Sequence, residues 1–389
     1  MEGMTDTWLG RVNDLKKLED WQSLLDWCQK WTKSEPGNTV AWYKLGVAYN
    51  ELSRHNEAID AYRQALRINP EYADAWYSLG DIYFYLSRYD DAIEAYRQVI
   101  RIDPDDAETW YWIGNAYHDL DRYDESITAY LEAVRIDPKD ADYRYWLGFT
   151  YLQSDQTDKA IEAFLQLVRI YPELAYVWNN LGYAYNESDQ PDKAIEAYQQ
   201  AVRIDPKNVN NWNTLGDTYD SLKRYDEAID AFRQALHIAP KVAHAWIGLG
   251  IAYSSLKRYD DEINAFRVAL RINPGKAGVW GLLGYAYLKL KRNGDAIGAF
   301  REAVRLEPTK ADYWNGLGSS YGASECHNDA IYAYRESLRN DPEYRPAWTG
   351  LGIAYSRAGK RSEALDAVQE LRRLNSVDAD KLYDRIMQR

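Results

Sequence analysis

The residues able to do chemistry in this chain are few and poorly placed for it. Its five histidines, His55, His118, His237, His244 and His327, form no HExxH pair and no cluster with metal-ligand spacing. Cys326 and His327 are adjacent, too local for a thiolate–imidazole dyad, and Cys326 reads as a surface thiol; Cys28 sits at a core-like position. There is no phosphate-cradling GxxxxGK loop, no GxGxxG after a strand and no GxSxG elbow. No catalytic residue, metal ligand or cofactor is expected, and the chain is not expected to be an enzyme. What does recur is a set of tyrosines, asparagines and acids. Tyr43, Tyr77, Tyr111 and Tyr145 stand 34 residues apart, and Asn179 and Asn213 continue the row. A second row runs Asp81, Asn115, Phe149, Tyr183 and Asp217, and a third includes His118, Asn186 and Asp220. Such residues hold a ligand rather than transform it. Tyrosine offers wide, stiff contact area with a hydroxyl and stacks on cations. Asparagine can pair both N–H and C=O of an extended backbone.

Rows of this kind need rigid elements repeated in register, and the rest of the sequence supplies them. Trp42, Trp76 and Trp110 are 34 apart, and the lattice resumes from Trp178 to Trp348; ten of the 12 prolines, from Pro36 to Pro342, keep the same period. A fixed period of this size means stacked supersecondary units. Each unit is numbered from Thr39 as position 1. Gly then occupies position 8 and Tyr position 11 in all ten windows up to Asp378, Ala fills position 20 in eight, and Tyr or Phe fills position 24 in nine. Positions 4, 7, 8 and 11 share one helical face, as do positions 20, 24 and 27, with a polar turn between. The spacing predicts helix A over positions ~2–14 and helix B over ~17–30, ended by Pro at position 32. Gly inside helix A, recurring opposite Ala at position 20, predicts close helix–helix approach. The lattice aromatics are expected to be core, so function is sought on the face they leave free.

Trp212, Leu215, Gly216, Tyr219, Ala228, Phe232, Ala235 and Pro240 together resemble the tetratricopeptide repeat closely. That resemblance implies an all-α fold, a right-handed superhelical solenoid of antiparallel helix hairpins with helix A lining the concave side. It covers ten repeats over residues 39–378. Residues 5–38 read as an eroded further unit, and 376–389 as a capping helix with Ala379, Leu382, Tyr383 and Ile386 as its apolar stripe and Ser376 or Asp378 as its cap. One continuous solenoid over 1–389, closed at both ends, is the expected organisation.

In the resembling family, positions 2, 5, 9 and 12 line the groove. Positions 5, 9 and 12 are the rows above, position 2 adds Asp74, Glu108, Asp142 and Asp312, and all four carry acids or neutral groups but no Lys or Arg. The expected partner is therefore a protein or peptide segment with Lys/Arg and apolar side chains, bound by a non-catalytic scaffold. A regulatory or sensor subunit of an enzyme, with catalysis on another chain, is the alternative. The cationic clamp for acidic C-termini is absent, and of the family's position-6 asparagine ladder only Asn180 matches. The net charge of −13, from 47 Lys+Arg and 60 Asp+Glu, argues against a nucleic-acid partner. With no long apolar run and no signal peptide, no membrane partner is expected and a cytoplasmic setting is the default.

Several units are irregular. Arg144 replaces Trp and Trp146 lies two places on, which predicts a break in repeat geometry, a self-association surface or local repacking. Glu262 replaces Ala at position 20, so burial is expected, either with Lys257 or Arg258 as its partner or relieved by a helix shift that exposes it. Glycines from Gly275 to Gly322 leave groove positions bare or mark a softer segment. Arg at position 25 is expected to pair with the acid three residues earlier at position 22.

Overall fold

The computed structural model describes the backbone of residues 2–388 and the side chains of residues 8–388; Met1 and Arg389 lie outside the described residues. Twenty-three helices and no strand occur among them. They fall into two compact units, Met1–Gln190 and Pro191–Arg389. Within each unit the helices form antiparallel hairpins of the kind the period predicts, such as Thr39–Glu51 with His55–Ile68, and Val209–Ser221 with Tyr225–Ile238. Helix A thus occupies positions 1–13, one residue earlier than expected, and helix B positions 17–30.

The turn inside each hairpin has a fixed form. Residue 15 of the unit takes the left-handed conformation, from Ser53 (φ 56°) to Glu325 (φ 60°), and only the last unit places glycine there, Gly359 (φ 75°). Arg54 N–H donates to the Tyr49 carbonyl at 2.9 Å and Ser53 N–H to Asn50 at 2.8 Å, which closes the end of helix A. Beyond helix B the chain turns at the proline, and the next helix A begins.

The recurrent glycine has a specific cause. A β-carbon on Gly46 or Gly80 would stand 2.5 Å from the ring of Tyr62 or Tyr96, and on Gly216 2.7 Å from Phe232. The aromatic at position 24 therefore lies flat on helix A where only hydrogen leaves room. These rings, not the lattice tryptophans, are the core: Tyr62, Tyr96, Tyr130, Phe164, Phe232, Phe266 and Phe300 are all fully buried. Ala at position 20 also faces the glycine, since Ser126, its substitute, donates a 2.8 Å hydrogen bond to the Gly114 carbonyl.

The lattice tryptophans correct the expectation that they are core. They are half-buried, and each indole N–H donates to the carbonyl of the proline six residues before it: Trp42 to Pro36 at 2.9 Å, Trp76 to Pro70 at 2.8 Å, Trp348 to Pro342 at 2.8 Å. Each is a clasp between the start of helix A and the turn before it. In the irregular unit the clasp survives, because the Arg144 guanidinium donates to the Pro138 carbonyl at 2.8 Å and also to Gln166.

At the first end, Glu2–Lys17 and Trp21–Ser34 pack through Val12, Leu15, Leu24, Leu25, Cys28 and Trp31, all buried. Burial pushes the Cys28 thiol up to about 12. At the other end the helix Ser376–Met387 is capped by Asn375, whose side chain accepts from Asp378 N–H at 2.8 Å, not by Ser376 or Asp378. Ala379, Leu382 and Ile386 are buried, but Tyr383 is 39% exposed and leaves the stripe. Leu382 fills the space over Gly352 that an aromatic fills elsewhere, since position 24 of that unit is only Val368.

Candidate functional site

The helix A face of the unit Met1–Gln190 carries most of the sequence-selected residues, and the core ring beneath positions several of them. The Tyr96 hydroxyl donates to Asp81 at 2.7 Å, and the Tyr130 hydroxyl to Asn115 at 2.6 Å. Ring type and face residue match along the chain. Tyrosine lies beneath polar Asp81, Asn115 and Ser319, whereas Phe164, Phe266 and Phe300 lie beneath Phe149, Ile251 and Tyr285. Val47 over Tyr62 and Asp217 over Phe232 break the rule, and Asp217 instead accepts from His244 Nε2 at 2.8 Å. This pairing was present in the sequence as a correlation between positions 9 and 24, and reading positions singly missed it.

The tyrosine row is half-buried rather than free. Tyr43 packs on Tyr62 and Tyr72, Tyr111 on Tyr130 and Tyr143, and Tyr145 on Phe164 and Tyr176, with ring centroids 5.0–6.1 Å apart. Tyr77 donates to Glu108 of the next hairpin at 2.9 Å. Asp81 reaches solvent, yet the aromatic surround desolvates its carboxyl and pushes it up to about 6, with the Tyr96 hydrogen bond opposing and Glu108 adding to the rise. Burial and then the Asp81 charge hold the Tyr77 phenol well above its usual range, so it stays a neutral donor. His118 packs among Tyr123, Trp146 and Phe149 with its Nε2 buried and unpaired. Trp146 of the irregular unit thus belongs to an aromatic cluster on this face. Asn179 and Asn186 are half-buried, and Tyr183 is 49% exposed.

In the unit Pro191–Arg389, Asn213 is buried and presents almost no surface. Asp217 is exposed, and its hydrogen bond raises the His244 imidazole above its ordinary value. Asp220 is half-buried, and burial, then the nearby Asp217 charge, raises its carboxyl. Two glycine positions expected to be bare are covered: Gly281 lies against Tyr313 and Gly316 against Phe300, whereas Gly322 is open.

Two expected ion pairs are replaced by others. Glu262 is 2% exposed as expected, but its cation is Lys289 of the next hairpin at 3.6 Å, while Arg258 pairs with Asp261 at 2.7 Å. Burial still raises the Glu262 carboxyl, and Oε2 has no partner. Arg at position 25 mostly does not pair with the acid at position 22, except Arg233 with Asp230 at 4.0 Å. It donates to the position-11 hydroxyl of the next hairpin instead: Arg63 to Tyr83 at 2.8 Å, Arg97 to Tyr117 at 2.6 Å, Arg233 to Tyr253 at 3.0 Å. A second arginine, at position 16, stacks on that tyrosine, as Arg88 does on Tyr83 at 4.4 Å. Among the described residues no group of three or more His, Cys, Asp or Glu is placed to hold a metal, and no helix is long and apolar enough to cross a membrane.

Repeated helix hairpins closed by glycine–aromatic contacts and tryptophan–proline clasps define a helical-repeat protein. The chain belongs to the tetratricopeptide repeat family. Models described as TPR repeat match residues 46–84, 80–121 and 114–155, and one described as tetratricopeptide repeat matches 142–173. The model of the cilia and flagella-associated protein 70 C-terminal domain matches 174–381. No curated protein matches the chain. Among solved structures, the C-terminal part of a TPR repeat-containing protein from Cytophaga hutchinsonii is similar in fold at 16% identity and a TM-score of 0.56, over 62% of this chain and 99% of that one. MamA is 27% identical over 43% of this chain and 92% of its own, with a TM-score of 0.42. YrrB, described as a TPR protein with an unusual peptide-binding site, is 19% identical over 49% of this chain and 99% of its own, with a TM-score of 0.45.

Proposed function

We propose that the chain is a non-catalytic interaction scaffold, and that the helix A face of residues 43–149 binds a protein or peptide segment bearing Lys or Arg on apolar surroundings. The observation that carries this is the Tyr77–Glu108 and Tyr96–Asp81 arrangement. Two carboxylates are each held by one phenol, stand among half-exposed tyrosines and, among the described residues, have no cation within ion-pair distance. A lysine or arginine arriving there completes the charge pairing, and its methylene stem and neighbours cover the rings of Tyr77, Tyr111 and Tyr145. His118, Asn115 and Phe149 extend the same face.

The test uses the whole chain and a labelled peptide alternating lysine and leucine, followed by fluorescence anisotropy. Asp81→Asn with Glu108→Gln keeps shape and removes charge. Binding is expected to weaken about tenfold to a hundredfold, the size of lost charged hydrogen bonds. Equal affinity of the double variant and the native chain would remove the electrostatic part of the proposal. Equal affinity of Tyr77→Ala would remove the aromatic part.

A further inference from the structure

On the helix B side of the second unit, a cleft of about 650 Å³ opens between the helices Tyr259–Ile272 and Asn293–Leu306. Its floor is Leu270, Trp280 and Leu283. The corresponding cleft beside Arg97 and Tyr117 in the first unit is about 220 Å³. The one beside Arg335 and Tyr355 is about 450 Å³. One lining position stands out. Position 22, which carries an acid in Asp60, Glu94 and Asp230, is Gly298 here, and a β-carbon at Gly298 would meet nothing within 4 Å. Glycine inside an exposed helix is unfavourable relative to alanine, and no close packing explains it.

Among the described residues, polar groups lining the cleft are left without partners. Arg63, Arg97 and Arg233 each reach the tyrosine hydroxyl of the following hairpin, but Arg267 does not reach Tyr287, and neither group makes another hydrogen bond or ion pair through those atoms. Tyr287 is only 7% exposed, and its unpaired hydroxyl lies in the cleft. Arg271, one turn along the helix, is also unpaired, because Val268 stands where Glu302 and Glu336 pair with Arg305 and Arg339. The two acids at the rim are already neutralised, Asp295 by Arg292 at 2.8 Å and Glu302 by Arg305 at 2.9 Å. The uncompensated charge of the cleft is therefore positive, above an apolar floor.

We infer that this cleft is a second docking site, which takes an acidic segment of a partner protein. One carboxylate accepts from Arg267 and the Tyr287 hydroxyl, a second pairs with Arg271, and an apolar side chain between them covers Leu270, Trp280 and Leu283. Its charge preference is opposite to that of the helix A face, so the two sites take different ligands and fail independently.

Fluorescence anisotropy of the whole chain with a labelled peptide of glutamates flanking one leucine tests this. The native chain is expected to bind it and to ignore the same peptide with glutamine for glutamate. Gly298→Glu restores the acid found at this position elsewhere and is expected to weaken binding about tenfold to a hundredfold. Arg267→Gln, which removes a cation and leaves position 298 as it is, is expected to weaken binding similarly, and thermal unfolding of both variants beside the native chain checks that they fold. Failure of the native chain to bind, equal affinity of Gly298→Glu, equal affinity of Arg267→Gln, or preference for single-stranded nucleic acid over the peptide would each overturn the inference.

Discussion

The phenol of Tyr96 donates a 2.7 Å hydrogen bond to the Asp81 carboxylate and so ties the buried layer of a hairpin to its outward face. Tyr96→Phe keeps the ring over Gly80 and removes only the donor. The variant is expected to lose about 1–2 kcal/mol in urea denaturation. It should also move the Asp81 titration, followed by carbon NMR, still further up, because this hydrogen bond is what holds it down. An unmoved titration would mean that the phenol does not support the carboxylate.

The raised Asp81 carboxyl gives binding and stability opposite pH dependences. With its folded value at about 6, Asp81 loses charge as the pH falls through 6, so affinity for a lysine-rich peptide should fall there. The free fold responds in the other direction. A carboxyl raised on folding favours the protonated form, so this contribution is present below the ordinary carboxylate range and is lost as pH rises through 6. Asp81→Asn should flatten the binding profile around pH 6 and the stability profile between the ordinary carboxylate range and about 6; a steep binding profile in that variant would assign the effect to another group.

Glycines in one fold should answer alanine with opposite signs. Gly80→Ala drives a β-carbon to 2.5 Å from Tyr96 Cε1 and is expected to destabilise by about 1–3 kcal/mol. Gly298→Ala meets open space in a helix and is expected to stabilise by up to about 1 kcal/mol. Thermal unfolding of the two variants checks the contrast, and a stabilised Gly80→Ala would refute the packing explanation of the repeated glycine.

Glu262 and Lys289 form a pair whose two halves are unequal. Lys289→Ala leaves a buried carboxylate with only Ser254 nearby and should cost about 1–3 kcal/mol at neutral pH, less in acid. Glu262→Ala installs the residue most repeats carry at that position and should be neutral or stabilising. Urea midpoints measured at two pH values distinguish the cases; a loss in Glu262→Ala as large as in Lys289→Ala would show that the carboxylate itself supports the hairpin.

Helix limits were legible because Gly, Tyr, Ala and Pro recur at positions where sterics allow little else. What escaped reading lies between units rather than within one. The partner of Glu262 is 27 residues on, across a hairpin boundary, whereas helical spacing suggested its neighbours Lys257 and Arg258. Arg63 passes over the acid on its own helix and finds Tyr83, 20 residues away. Tyrosines on the candidate face could be named from the sequence, but their half-burial against Tyr72, Tyr143 and Tyr176 follows from side-chain direction, which periodicity does not carry. Tryptophan was misjudged by type: a large apolar body suggested core, and its N–H reaching the proline carbonyl six residues back decided otherwise.

That clasp bears on how such a chain grows and shrinks. Both of its halves lie within one short stretch, as with Trp314 and Pro308, joined at 2.8 Å. Excising or duplicating any 34-residue block therefore leaves every junction with its own indole and its own carbonyl, whatever the block's neighbours. The boundary at Arg144 follows the same logic with different chemistry, so a copy can drift in sequence and still be spliced in place.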